Sequence, residues 1–406
     1  MPAMARRWAL RAAAAGLVLL AGCTGAPPGG DGASPDAGRG GPRISRAAIA
    51  AVPADGTQDV HSDAEVAVTV AEGKLLSVRL ADDRGVAVPG RTAPDGSRWI
   101  PEEPLSPATP YTVDAVAQDA DGLRADHHST FVTAGPAHSV AAFLTPEDGV
   151  TVGVGMPVSL RFTRPIADRA AVERAVTVTA DPPVPLAAHW FGNRRLDVRP
   201  QHYWEPGTRV TVSLRLKDVE VAPGEYGTQT KDTDFTVGRA RVSTVDTAAR
   251  TLTVREDGVP VRTLKITAGG PQHPTYRGIM VISEKFAETR MNSRTVGLGD
   301  EYDIKDVPHA MRLTDSGTFL HGNYWADEAV FGTADTSHGC IALADRRGGD
   351  PESPAGWFFE HSLVGDVVEV HGDTGATVPP SNGLNGWNMP WPAWLDGSAL
   401  GPPDTR

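Results

Sequence analysis

The 406-residue chain is too long for one ordinary domain and fits about three. Its 38 Lys and Arg against 50 Asp and Glu give a net charge of −12, which repels phosphate backbones and excludes a nucleic-acid binder. Composition is globular, with 40% hydrophobic and 22% charged residues, and the 44 Gly and 34 Pro favour short strands and many turns over long helices.

At the N-terminus, Arg6 and Arg7 precede an apolar run from Trp8 to Leu20, too short for a permanent transmembrane helix. The charges hold the start of the segment on the cytoplasmic side while the apolar stretch enters the bilayer, so residues 1–22 read as an export signal. The run ends Leu20-Ala21-Gly22-Cys23, which resembles the bacterial lipobox. That resemblance implies that Cys23 is acylated and becomes the first residue of the mature chain. An ordinary signal peptide with an incidental cysteine is the alternative, and the paired arginines fit a twin-arginine signal poorly. Diacylation supplies the two chains that stable membrane residence requires, which places the protein on the outer face of the cell membrane. An exported chain with two cysteines invites a disulfide, but a lipidated Cys23 leaves Cys340 as a lone thiol, a liability there unless it is used. Removing the first 22 residues, with three arginines and no acids, takes the net charge to −15. Residues 23–42 are rich in Gly, Pro, Asp, Ala and Ser without apolar periodicity, and such a tether spans roughly 25 Å.

From residue 43 to 135 the chain alternates as half-buried strands do. Val66-Ala67-Val68-Thr69-Val70, Leu76-Ser77-Val78-Arg79-Leu80 and Tyr111-Thr112-Val113-Asp114-Ala115 are examples, separated by turns such as Asp55-Gly56 and Asp121-Gly122. Short alternating strands at this spacing predict an antiparallel sandwich. The pattern repeats over residues 136–238: Pro53-Ala54-Asp55-Gly56 is echoed by Pro146-Glu147-Asp148-Gly149, and Thr130-Phe131-Val132-Thr133 by Asp234-Phe235-Thr236-Val237. The period, roughly 90–100 residues, is that of an immunoglobulin-like module. Neither copy shows a cysteine pair or a cluster of convergent polar groups, so both read as spacers rather than carbohydrate binders.

The texture changes at Ala240. Residues 240–254 and 261–267 predict one hairpin through Glu256-Asp257-Gly258, followed by the loop Gly269-Gly270-Pro271-Gln272-His273-Pro274. The polar stretch 284–306 has few apolar anchors and reads as a lid. Thr318-Phe319-Leu320-His321-Gly322-Asn323 reads as a strand end carrying a histidine, and seventeen residues after it comes His338, within Ser337-His338-Gly339-Cys340. Nucleophilic thiol chemistry needs a cysteine near a base, with donors for the developing oxyanion. Structural zinc would want four closely spaced ligands, and no such spacing accompanies Cys340. A buried thiol beside backbone-bonded histidines is the inert alternative.

His321 followed by Ser337-His338-Gly339-Cys340 resembles the signature of the L,D-transpeptidases with a YkuD-type catalytic domain. The likeness extends to Pro274-Thr275-Tyr276-Arg277-Gly278, to Phe358-Phe359 through Val367-Val368-Glu369-Val370, and to a tail carrying Trp387, Trp391 and Trp394, which is similar to that of mycobacterial members. The implied fold is mainly β: two immunoglobulin-like sandwiches, a β-rich catalytic domain at 239–371, and a Trp-rich extension at 372–406 packed on a neighbouring domain. The resemblance assigns Cys340 as nucleophile and His321 as its base. The backbone carbonyl of Gly322 fixes the base's tautomer, a role in which the missing side chain matters little. His338 supports substrate or thiolate, and the N–H groups of Gly339 and Cys340 form the oxyanion hole. Tyr302, Ser337 and Asn323 are expected to contact substrate. Ala342 stands where many members have Asn, which would remove a polar group from the edge of the site.

The implied reaction needs no cofactor or metal. Cys340 attacks the bond between diaminopimelate and D-alanine in a peptidoglycan stem, a thioester forms, and a second stem's amine resolves it into a cross-link. Carbapenems, which are β-lactams, would acylate the same thiol. Attack by water instead would make an L,D-carboxypeptidase. A surface lipoprotein that only binds peptidoglycan is the reading from another class, against which stands the retention of Cys340, His321, His338 and Gly339 together.

Overall fold

The computed structural model describes residues 44–61 and 64–401. The export signal, the tether and Cys23 lie outside the described residues.

Strand alternation governs the first half of the chain. In Pro110–Gln118 every second side chain, from Tyr111 to Ala117, is buried. One sheet orders Ala48–Val52, Ala67–Ala71, Arg98–Pro101 and Gly90–Thr92; the other orders Thr57–Val60, Arg124–Thr133, Pro110–Gln118, Lys74–Asp82 and Ala87–Val88. Val68 and Trp99 from the first meet Leu80, Tyr111 and Phe131 from the second in one core. The same order recurs downstream. Ala142–Thr145, Val158–Phe162, Arg195–Pro200 and Leu186–Phe191 form one sheet, and Thr151–Val152, Thr230–Val237, Arg209–Arg215 and Val176–Asp181 the other. Even the turns correspond: the Thr130 N–H donates to Asp55 at 2.8 Å and the Asp234 N–H to Asp148 at 2.9 Å. A carboxylate one residue before a turn glycine thus ties the same two strands in both halves.

The third region is a nine-stranded sheet in the order Gly278–Val281, Val367–His371, Arg241–Asp246, Thr251–Glu256, Val259–Thr267, Ile341–Ala344, Phe319–Asn323, Asp303–Arg312 and Glu284–Asn292. One expectation needs correction. Residues 240–267 form two hairpins rather than one, because Arg250 at φ +54° turns the chain once before Asp257 and Gly258 turn it again. The polar stretch 284–306 is a β-hairpin, Glu284–Asn292 against Asp303–Arg312, with a 3-10 turn at Ser293–Val296. An edge hairpin needs few apolar anchors, since its ladder satisfies the backbone, and its tip brings Tyr302 to the cavity described below.

The second sandwich and the nine-stranded sheet share a core. Val281, Val367 and Leu384 pack with Val154, Met156 and Leu160. The approach is close enough that a Cβ on Gly153 would lie 2.2 Å from the Asp366 amide nitrogen. The C-terminal segment closes the seam. Trp394 is fully buried and donates to the Ala187 carbonyl at 3.0 Å, and Trp387 donates to that of Gly155 at 2.8 Å. The guanidinium of Arg199 sits 4.2–5.2 Å from the ring centres of Trp387, Trp391 and Trp394. Burial draws its pKa down to about 10, so it remains a cation held by aromatic faces and carbonyls.

Candidate active site

Register brings the motif residues together. Phe319–Asn323 and Ile341–Ala344 run parallel, with Leu320 opposite Ile341 and His321 opposite Ala342. Side chains alternate along a strand, so His321 shares a face with Ala342 and with Cys340 two residues earlier. Both His321 and Cys340 line one cavity of about 380 Å³, with Met291, Tyr302, Trp325 and His338.

The thiol is buried. Sγ accepts the Phe319 N–H at 3.4 Å and lies 3.7 Å from the Gly317 carbonyl. A carbonyl only accepts, so the second contact holds the S–H proton. Desolvation pushes the pKa up to about 11, against the lowering by the Phe319 N–H. Cys340 is therefore a neutral thiol at physiological pH. His321 is 4% exposed, and burial lowers its pKa despite the Gly322 carbonyl and Asp345. Its Nδ1 lies 2.9 Å from that carbonyl and must carry the proton. Nε2 is left with a free lone pair. The pair is built for proton transfer during attack, not for a resting thiolate–imidazolium pair.

The neighbouring residues refine several expectations. The Ser337 hydroxyl donates to the Cys340 carbonyl at 2.5 Å and accepts the Gly339 N–H at 3.2 Å. Ser337 thus ties the turn, although it also lines the cavity, and the Gly339 N–H is not free for the oxyanion. The Cys340 N–H is left as the backbone donor. Gly339 sits at φ +106°, which a side chain would strain. The smallness of Gly322 does matter: a Cβ there would lie 2.1 Å from Asp345 Oδ2. Asn323 uses its Oδ1 to accept the N–H groups of Trp325 and Ala326, both at 3.0 Å. That turn places Trp325, whose ring stacks at 5.7 Å on His321. Ala342 is fully buried in the ladder between His321 and Thr267 and does not line the cavity, so it is not at an open edge.

Tyr302 reaches the cavity from the hairpin tip. Burial first, then Cys340 and Glu301, push its pKa to about 12, so its hydroxyl stays a donor. Two contributors had no sequence signal. Glu301 Oε2 lies 3.1 Å from His338 Nε2 and 3.3 Å from His273 Nε2. Asp345 is buried behind Gly322 and binds His309 at 2.7 Å and Ser353 at 2.8 Å. Each is brought in by sheet register from a distant position. Among the described residues no cluster of three or more His, Cys, Asp or Glu could hold a metal ion.

A neutral thiol, an imidazole offering a free Nε2, and backbone and phenol donors around one cavity define a cysteine acyltransferase site. A family model of the L,D-transpeptidase catalytic domain matches residues 240–370, and one of a bacterial Ig domain matches residues 57–220. L,D-transpeptidase 2 of Mycobacterium tuberculosis is 38% identical over 348 residues, covering 85% of this chain and 83% of that protein. L,D-transpeptidase 5 of the same species is 30% identical over 361 residues, covering 87% and 77%. A solved L,D-transpeptidase from Mycobacterium smegmatis is 29% identical, with a TM-score of 0.45, and the match covers 58% of this chain and 99% of that one. The chain belongs to the L,D-transpeptidase family.

Proposed function

We propose that the protein cross-links peptidoglycan stems through a Cys340 thioester, anchored by a lipid on Cys23 at the outer face of the cell membrane. The observation that carries the chemistry is the contact of His321 Nδ1 with the Gly322 carbonyl, which fixes the tautomer of a ring that lines the same cavity as the thiol. As Sγ attacks the carbonyl between diaminopimelate and D-alanine, Nε2 takes the thiol proton. The Cys340 N–H and the Tyr302 hydroxyl stabilise the oxyanion. The imidazolium then protonates the departing D-alanine nitrogen, leaving the thioester and a neutral His321. An amine from a second stem attacks, His321 carries its proton to Sγ, and the new amide joins two diaminopimelate residues. A carbapenem ring presents the same carbonyl in strained form, so its opening by Cys340 gives a stable adduct. The lipobox resemblance at residues 20–23 and the lone described thiol at Cys340 support the anchored, exported placement. The two sandwiches serve as spacers.

The test incubates the protein with tetrapeptide stems and follows products by mass spectrometry. Release of D-alanine with a stem dimer is expected from the wild type, and neither from Cys340→Ser. A monomeric tripeptide as the only product would make the enzyme a carboxypeptidase.

A further inference from the structure

Beyond the dyad, one cluster beside the cavity holds a carboxylate, Glu301, that has no role in forming the thioester. Glu301 sits next to Tyr302 at the tip of the 284–312 hairpin. Two imidazoles from different parts of the chain, His273 and His338, both point Nε2 at the same oxygen, Oε2, at 3.3 and 3.1 Å. Both are ion-pair distances, and they set the carboxylate between the two rings. Oε1 has no partner among the described residues, and the side chain is 43% exposed. The rings of His273 and His338 are 5.3 Å apart, and Tyr302 packs 5.0 Å from His338, which itself lines the thiol cavity. No lining residue of that cavity is Lys, Arg, Asp or Glu. Glu301, which does not itself line the cavity, sets a carboxylate directly behind its His338 wall.

The second half-reaction needs such a charge. An acyl acceptor with a primary amine arrives as an ammonium near pH 7, and it must be held close to the thioester and lose a proton before it can attack. A surface His–Glu pair alone contributes little stability, but a carboxylate flanked by two imidazoles and still open to solvent is a site for a cation. We infer that Glu301, oriented by His273 and His338, binds the ammonium of the amine acceptor and selects amine transfer over hydrolysis. The ammonium docks on the Glu301 carboxylate and passes one proton to the neighbouring His338 imidazole, whose imidazolium pairs with Glu301. The neutral amine attacks the thioester carbon, His321 carries the second proton to Sγ, and His338 releases the first to solvent. The balance is thioester plus ammonium giving amide, thiol and one proton.

This inference rests on the transpeptidase reading, and the experiment separates the two. Wild type and Glu301→Gln are supplied with a tetrapeptide donor and a stem whose amine is either free or acetylated. Thioester formation is followed by intact mass, and the ratio of dimer to hydrolysed stem by chromatography. A wild type that forms no thioester overturns the underlying reading before any variant is compared. If it does form one, Glu301→Gln is expected to lower the dimer-to-hydrolysis ratio by about tenfold, the scale of one lost charge-assisted hydrogen bond. Thioester formation should fall much less, which also shows the variant to be folded. Glu301→Asp should restore part of the ratio. An unchanged ratio, or equal losses in both steps, overturns the inference.

Discussion

At the level of single residues, the site depends on what its glycines leave out as much as on its reactive groups. The Gly322 carbonyl sets the His321 tautomer, while its Cα lies against a buried carboxylate that binds His309, Ser353 and the N–H groups of Arg346 and Asp350. A methyl group at that position collides with Asp345. Gly322→Ala should destabilise the fold by about 1–3 kcal/mol, typical of overpacking, and should slow acylation by tilting the base. Thermal melting and the acylation rate check both effects, and wild-type values in each would show that the pocket yields freely. The nucleophile and base were legible in the sequence because their spacing is a linear signature. Glu301 and Asp345 were not, since a lone acid in a hairpin tip or after a strand looks like any solvated charge. The strand register alone reveals that one meets His338 and the other backs Gly322.

Among the elements, the C-terminal segment contributes more than its length suggests. Gly278–Val281 is an edge strand of the nine-stranded sheet, and such edges expose unpaired backbone groups. Asn388 accepts the Ile279 N–H at 2.8 Å and donates to the Ile279 carbonyl at 2.6 Å, while Asn385 accepts the Val281 N–H at 2.9 Å. The asparagines act as a short substitute strand, and the tryptophans a few residues on lock the segment to the second sandwich. A chain ending at Asp373 would bare that edge and leave Arg199 buried without its aromatic faces. Its melting temperature should fall by at least about 5 °C, measured by calorimetry, and an unchanged melt would show the segment to be dispensable. The tryptophans announced a packed tail in the sequence. The asparagines did not, because edge pairing by side-chain amides has no periodicity to read.

For the whole molecule, strand alternation and turn residues made the mainly β architecture readable, and the echo of Asp55-Gly56 in Asp148-Gly149 marked the repeat. The two hairpins of 240–267 read as one because the turn at Arg250 contains no glycine or proline to announce it. If Cys23 carries the anchor, the sandwiches hold the catalytic sheet away from the bilayer. Cys23→Ser should then move the protein from the membrane pellet to the soluble fraction, and full retention in the pellet would refute the anchor. The central claim is that a neutral thiol gives up its proton to His321 during attack. Because the imidazole pKa is lowered and the thiol pKa raised to about 11, the wild-type acylation rate should hold level through neutrality. It should fall only below the ordinary histidine range, where Nε2 becomes protonated. The most direct measurement is the acylation rate by a stem donor against pH for wild type, His321→Ala and His338→Ala. His321→Ala should lose about 10²–10⁴-fold near pH 7 and recover as pH rises toward the thiol pKa, while His338→Ala stays slow at every pH. Recovery of His338→Ala, with His321→Ala remaining slow, would contradict the account and move the base to the other histidine.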